Sequence, residues 1–218
     1  MPKIKKRRFA EMRTKENVFE WTDYNAENPF PKGAWNSEIF KNDNPIILEL
    51  ACGKGEYSVG LAQLRPHSNL VGVDIKGNRM WVGATEAQEK SLDNVRFLRA
   101  YIDHLDQFFG ESEVDELWIL FSDPYIKKAR KRLTALKFLA LYRTFLKPGG
   151  IINLKTDSDL LYEYTKEIIE EQGLEILRDI PDVHKQCPDD AELAIKTFYE
   201  KTHLKKGKPS KFLSFRLI

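Results

Sequence analysis

The chain has 218 residues, 42% of them hydrophobic, which is enough for one sizeable core and short for two comfortable domains. Its 35 basic and 33 acidic residues leave a net charge of only +2, so the protein as a whole is neither strongly basic nor strongly acidic. No apolar run approaches the roughly 18 residues that span a bilayer, and the basic N-terminus lacks the apolar core of a signal peptide. With two distant cysteines that match no disulfide pattern, these features predict a cytoplasmic globular protein without membrane contact.

The first segment, residues 1–40, is polar but contains scattered aromatic residues: Trp21, Tyr24, Phe30 and Trp35. We expect this extension to pack over the rest of the fold or to become ordered on a partner. The main domain is then expected to cover residues 41–218, with a long insertion near residues 181–210. Insertions of that length in compact domains tend to be functional or mobile.

Short apolar runs alternate with amphipathic ones through the main domain. Seven runs rich in Val, Ile, Leu and Phe predict strands: residues 45–52, 69–75, 94–100, 114–121, 149–156, 174–180 and 211–218. Four stretches with apolar residues at three-and-four spacing predict helices: residues 57–65, 78–92, 133–146 and 159–173. Lys147-Pro148-Gly149-Gly150 is expected to end the helix predicted at residues 133–146. The alternation predicts a doubly wound α/β fold with a mostly parallel, seven-stranded sheet and helices on both faces.

A glycine loop, LELACGKGEY, follows the first main strand and opens a helix. Gly53 and Gly55 allow a sharp turn and a close approach of the backbone to a ligand. Asp74 ends the next strand, where doubly wound folds place an acid that binds a ribose. The loop is neither the GxGxxG fingerprint nor a Walker GK[ST] sequence, which disfavours NAD, FAD and ATP. A ligand with a ribose and no phosphate suits it better.

The stretch FSDPYIKKARKRL places an acid at the end of another predicted strand, followed by a run in which five of six residues are basic. Asp123 should lie at the same carboxyl edge of the sheet as Gly53 and Asp74, where open α/β folds bind ligands. Ser122, Asp123 and Pro124 also suit an ordinary turn. Together with the glycine loop, the position favours a functional Asp123.

Basic residues cluster in three places: residues 3–8, 127–132 and 205–211. Clusters of this kind on a nearly neutral chain favour contact with a phosphate backbone, although a single cluster is more often a solvated surface. The histidines show no ligand spacing, so no metal site is expected.

The pattern E-x-A-x-G-x-G from Glu49 to Gly55 resembles motif I of class I S-adenosylmethionine-dependent methyltransferases. Ala51 stands where glycine is commoner, and we expect alanine there to need only a negative φ. The resemblance implies that Glu49 faces the cationic methionine part of the cofactor. At the third strand end, the adenine is expected either against backbone amides and an aromatic wall at Tyr101 and Ile102, or beside Asp103.

Three further motifs resemble those of the tRNA (guanine-N7)-methyltransferases, in the right order over residues 40–218. FSDPYIKKARKRL is similar to F-x-D-P-W-x-K-x-R-H-x-K-R-R, GGIINLKTD to G-x-[IL]-x-x-K-T-D, and TFYEKTHLKKGKP to T-x-[FY]-E followed by a glycine. Tyr125 replaces the usual tryptophan, and the basic run is two residues shorter. The resemblance implies methyl transfer from S-adenosylmethionine to N7 of a guanosine in the variable loop of tRNA, by a monomer or a homodimer.

Carried over residue by residue, the resemblance implies two sets of site residues. Those expected around the cofactor are Glu49, Gly53, Gly55, Asp74, Tyr101, Ile102 and Asp123. Those expected around the guanosine are Lys127, Asp157, Thr197, Tyr199 and Glu200. Asp123 is the candidate catalytic residue, as an acceptor for guanine amino or imino hydrogens. Asp157 also suits a helix N-cap.

Two other functions fit parts of the pattern. Asp-Pro-Tyr approximates the D-P-P-Y motif of amino-group nucleic-acid methyltransferases, without the second proline. A non-catalytic RNA-binding protein can share the fold, although the acids at positions 49, 74 and 123 favour an active enzyme.

Overall fold

The computed structural model describes residues 2–22, 30 and 32–218. One mixed sheet of eight strands organises the described chain, in the order β1-β4-β3-β2-β5-β6-β8-β7. The strands are β1 (Val18–Glu20), β2 (Ile46–Leu50), β3 (Asn69–Val73), β4 (Val95–Arg99), β5 (Val114–Leu120), β6 (Leu146–Thr156), β7 (Glu175–Ile180) and β8 (Lys211–Arg216). β1 to β6 pair in parallel, and β8 runs antiparallel between β6 and β7.

The predicted fold class is confirmed, since each of the seven predicted runs overlaps a strand of the sheet. The eighth strand, β1, adds to the sheet edge by pairing with β4 through Val18↔Phe97. Three residues are too few to show the alternation of a strand, so this strand was not predicted from the sequence.

Seven α-helices are present in the described part of the chain: α1 (Pro2–Met12), α2 (Glu56–Leu64), α3 (Gly77–Glu89), α4 (Leu136–Tyr142), α5 (Asp159–Glu171), α6 (Val183–Gln186) and α7 (Phe198–Leu204). A π-helix covers Trp35–Phe40, and 3₁₀ turns cover Ile102–Gln107 and Ala129–Lys131. The prediction for the helix at residues 133–146 was wrong at its end. α4 stops at Tyr142, and Lys147-Pro148-Gly149-Gly150 lies in the first part of β6, where Gly149 takes a φ of 74°.

Alternating residues of the central strand divide the core between the two faces of the sheet. Ile46, Leu48 and Leu50 pack on the face that α4 and α5 cover, whereas Ile47 packs on the face that α2 and α3 cover. Because side chains along a strand alternate, Glu49 lies on the same face as Ile47, directed toward α2. The alternation thus places an acid in the interior at the end of β2.

Both helical parts of the N-terminal segment, α1 and the π-helix, pack against the rest of the fold. α1 packs against α3, with the Arg8 guanidinium 4.5 Å from the centre of the Trp81 ring. Trp35 is buried, and its indole nitrogen donates to the Phe108 carbonyl at 2.9 Å. Tyr24 lies outside the described residues. The division near residue 40 stays a prediction, as does the insertion near residues 181–210, which contains α6 and α7.

Within the described ranges, no helix combines the length and the apolar character needed to cross a membrane.

Candidate active site

The carboxyl ends of β2, β3, β4 and β5 meet beside the point where the strand order reverses, which is where open α/β sheets bind ligands. A cavity of about 760 Å³ opens there. Many of the predicted site residues line it: Glu49, Gly53, Asp74, Tyr101, Ile102, Asp123, Thr197 and Tyr199. Residues from five separate segments of the sequence are therefore brought to one cavity.

The glycine loop is tied to the end of β3. Gly53 takes a φ of 58°, and its N–H donates to Asp74 Oδ2 at 2.9 Å, while Lys76 N–H donates to Asp74 Oδ1 at 2.8 Å. Gly55, at a φ of 72°, does not line the cavity. A Cβ at Gly55 would meet Phe97 Cε1 at 2.5 Å, so this glycine lets the loop pack closely against β4.

Ala51 adopts the left-handed conformation, at a φ of 60°. The expectation that alanine needs only a negative φ here was therefore wrong. Phe121, at 48°, and Tyr125, at 42°, also lie in this region, and all three residues line the cavity. Left-handed backbone costs an L-residue roughly 1–2 kcal/mol, and such strain clusters at functional sites.

Glu49 is a buried acid on the cavity wall, with 4% of its surface exposed. The Ser58 N–H donates to Glu49 Oε2 at 2.8 Å, and the Ser58 hydroxyl contacts the same oxygen. Burial raises the pKa of Glu49 to about 8, against the opposing effect of the Ser58 hydrogen bonds, and the negative charges of Asp74 and Glu56 add to the rise. A cation in the cavity would favour the ionised form of this carboxyl.

The end of β5 combines a turn with the cavity wall. Asp123 is exposed, and its Oδ1 accepts a hydrogen bond from Tyr125 N–H at 2.9 Å. The turn interpretation and the site interpretation of Asp123 are thus compatible. Its neighbour Ser122 is buried, and the hydroxyl has no hydrogen-bond partner among the described residues. Since buried polar groups are normally paired, Ser122 is suited to bind a ligand in the cavity.

All three candidates at the end of β4 line the cavity. Tyr101 exposes 49% of its surface, Ile102 is partly buried, and Asp103 pairs with Lys137 at 2.5 Å. Both arrangements expected for an adenine are compatible with this geometry.

The N-terminus of α7 forms the facing wall. The Thr197 hydroxyl caps the helix by accepting from Glu200 N–H at 3.1 Å. Phe198 N–H donates to the Glu56 carboxylate at 2.6 Å, and Arg79 donates to the Tyr199 hydroxyl at 2.6 Å. α7 is thereby joined to the starts of α2 and α3, close to the glycine loop.

Three predicted substrate residues lie away from the cavity. Lys127 is exposed but does not line it. Asp157 lies 2.6 Å from His203 Nδ1 and 3.6 Å from Lys208 Nζ. Their roles at the substrate stay predictions.

Glu200, the third of these residues, is fully buried. Its carboxylate pairs with Lys155 at 2.8 Å and contacts His184 Nε2 and the Ser210 hydroxyl, each at 3.0 Å. This enclosure suits a residue that holds α7 in place, and its predicted contact with the substrate has no support in the geometry.

Several cavity residues were missed by sequence reasoning: Glu56, Arg79, Ser122, Lys131, Lys137 and Phe198. Most of them lie within a few residues of a predicted strand end or a motif. Proximity to those positions was therefore the signal in the sequence that could have found them. Among the described residues, no group of three or more His, Cys, Asp or Glu side chains is placed to hold a metal ion.

Comparison with known proteins agrees with the fold. A family model described as "Putative methyltransferase" matches residues 43–213. A tRNA (guanine-N(7)-)-methyltransferase of Bacteroides fragilis is 49% identical, over 100% of this chain and 87% of the relative. A protein of the same description from Christiangramia forsetii is 44% identical, over 99% of this chain and 98% of the relative.

Among solved structures, a 16S rRNA methyltransferase aligns with a TM-score of 0.65, at 15% identity, over 87% of this chain and 95% of the other. This likeness concerns the fold. The family model over residues 43–213 and the identity to the curated relatives over nearly the whole chain lead to one assignment. The chain belongs to the tRNA (guanine-N(7)-)-methyltransferase family.

Proposed function

We infer that the protein transfers a methyl group from S-adenosylmethionine to N7 of a guanine in tRNA. The observation that supports this most directly is the convergence of Glu49, Gly53, Asp74 and Asp123 on one cavity at the strand-order reversal. We further propose that the guanine lies in the variable loop and that the protein works in the cytoplasm, as a monomer or a homodimer.

The cavity fits the cofactor in three respects. The buried Glu49 lacks a cationic partner, the Gly53 loop lets a ligand approach the backbone, and the Ser122 hydroxyl lacks a protein partner among the described residues. Glu49 would hold the cationic methionine part, Asp74 the ribose, and Tyr101 with Ile102 the adenine. When bound, S-adenosylmethionine supplies the methyl group from a sulfonium centre.

Guanine N7 carries a free lone pair, so methylation requires no base to remove a proton from it. The residues of the chain must orient the ring and stabilise the positive charge that it gains. Asp123 is suited to accept guanine amino or imino hydrogens, because its carboxylate is exposed at the cavity. Its Oδ1 accepts a hydrogen bond from Tyr125 N–H. Thr197 and Tyr199 offer a hydroxyl and a ring on the facing wall.

Affinity for tRNA is expected to come largely from exposed basic side chains that neutralise phosphates. The described structure shortens all three predicted clusters. Arg8 is half-buried, with its guanidinium 4.5 Å from the centre of the Trp81 ring. Lys211 is 9% exposed and pairs with Asp159 at 2.6 Å, and Arg132 is 5% exposed. The remaining basic residues of the clusters at 3–7, 127–131 and 205–208 are exposed.

The deciding experiment compares two transcripts of the same tRNA, one with guanine and one with 7-deazaguanine throughout. Both present the same amino groups, but the second lacks the N7 lone pair. Incubation with labelled S-adenosylmethionine, followed by digestion to nucleosides, should give labelled 7-methylguanosine from the first and no label from the second. Label in the 7-deazaguanine transcript would support an amino-group methyltransferase, and no label in either would support a non-catalytic protein.

The role of Asp123 is tested separately with Asp123→Ala at saturating cofactor. Turnover should fall by roughly 100-fold, since misplaced substrates lose rate on this scale. Near-normal turnover would remove the residue from the mechanism.

A further inference from the structure

Arg132 ends the basic run of FSDPYIKKARKRL but differs from the other basic residues in it. Lys127, Lys128, Arg130 and Lys131 are exposed, whereas Arg132 has only 5% of its surface exposed. A guanidinium that is buried in this way cannot also neutralise a phosphate of a docked RNA. Its contacts within the protein therefore define its role.

The side chain of Arg132 turns back toward the residues that follow Asp123. Its Nε donates to the Pro124 carbonyl at 2.8 Å, and Nη2 lies 3.5 Å from the Tyr125 carbonyl. The guanidinium carbon lies 4.3 Å from the centre of the Tyr164 ring, which comes from α5. Arg132 thus connects the turn after β5 to a helix that packs on the sheet.

The turn that it holds is strained and needs support. Phe121 and Tyr125 both have positive φ, at 48° and 42°, and Tyr125 N–H is bound to the side chain of Asp123. Conformations of this kind persist only where surrounding contacts impose them. The carbonyls of Pro124 and Tyr125 are the points at which Arg132 supplies such contacts.

We propose that Arg132 is a positioning residue of the methyl-transfer site, holding the turn of residues 121–125 so that Ser122 and Asp123 line the cavity. It acts through the backbone and does not contact the RNA. The inference rests on the proposed function for its catalytic consequence, but its structural part concerns this chain alone. Arginine is required because its planar fork can reach the backbone and stack on a ring at once, which an ammonium group cannot do.

The test is Arg132→Lys, with Arg130→Lys and Arg130→Ala as matched controls two residues away in the same basic run. Lysine keeps the charge, so an RNA-contacting arginine would tolerate it with little loss. Positioning predicts instead that Arg132→Lys lowers kcat by roughly 10- to 100-fold, with the salt dependence of tRNA affinity unchanged. Arg130→Lys should leave that dependence as it is, and Arg130→Ala should flatten it, because one phosphate contact is lost.

Backbone hydrogen exchange gives a readout that does not depend on activity. In Arg132→Lys, the amides of residues 121–128 should exchange faster than in the parent protein, while those of β2 and β3 stay protected. Both Arg130 variants should exchange like the parent. Thermal unfolding of each variant shows whether it is folded. If Arg132→Lys is not, Tyr164→Leu removes the ring on which Arg132 stacks and provides a second test of the same turn.

A normal kcat for Arg132→Lys, or exchange in residues 121–128 that matches the parent protein, would overturn the proposal. If the parent protein itself forms no 7-methylguanosine, the proposed function fails, while the exchange result still decides whether Arg132 holds the turn.

Discussion

Replacing Glu49 with glutamine should stabilise the protein in the absence of cofactor, by an amount that depends on pH. The pKa of Glu49 is raised to about 8 in the folded protein, mainly by burial, from an ordinary value of 4.5. A group whose pKa is raised on folding contributes stability that is fully present below 4.5 and is lost as the pH rises toward 8. Above that window, the ionised carboxylate is buried with no cationic partner among the described residues, and the free energy of unfolding is lower.

The size of the effect follows from the same pKa. Each pH unit within the window corresponds to about 1.4 kcal/mol. At pH 7, the loss is therefore on the order of 3 kcal/mol. Glutamine has nearly the same shape, can still accept from the Ser58 N–H, and does not ionise. Glu49→Gln should thus raise the free energy of unfolding by about 2–4 kcal/mol at pH 7 and by little near pH 5.

Urea unfolding of the two proteins at pH 5, 6, 7 and 8 measures this difference directly. The advantage of Glu49→Gln should grow steadily across the series and level off above pH 8. Glu111→Gln, at an exposed position, is the matched control and should show no such growth. A difference between Glu49→Gln and the parent protein that stays flat from pH 5 to pH 8 would refute the assignment of a buried, protonated Glu49.

Three other substitutions test separate parts of the site. Ala51→Gly should raise the free energy of unfolding by about 0.5–1 kcal/mol in thermal melts, because relief of the left-handed strain exceeds the extra entropy of an unfolded glycine; a destabilised variant would contradict the observed φ of 60°. Gly55→Ala should lose cofactor affinity, measured by calorimetry, and about 1–3 kcal/mol of stability, because the added methyl group overpacks against Phe97. Unchanged cofactor affinity would show that the contact between Gly55 and Phe97 does not shape the cavity. Lys155→Met should cost about 3–5 kcal/mol in urea unfolding, since Glu200 would remain buried without its partner; a cost near zero would show that Glu200 is not held by this pair.

The amino-acid sequence by itself determined the order of the elements and the location of the cavity. Seven apolar runs predicted seven strands, and the glycine loop, Asp74 and Asp123 were each found because they directly follow a strand. Parallel strands bring their carboxyl ends to one edge, so residues at these places must come together whatever the packing around them. Local pattern was sufficient for this part of the site.

The tertiary structure alone decided which way individual side chains point. The basic run reads as a single exposed cluster, yet Arg132 turns inward, because carbonyls seven and eight residues earlier and the Tyr164 ring from another helix lie within its reach. Glu200 is buried because Lys155, from a distant strand, meets it in the interior. Ala51 takes a positive φ in the loop that joins β2 to α2, where Gly53 N–H binds the Asp74 carboxylate of the neighbouring strand end. Such outcomes depend on contacts between residues far apart in sequence, which no local pattern encodes.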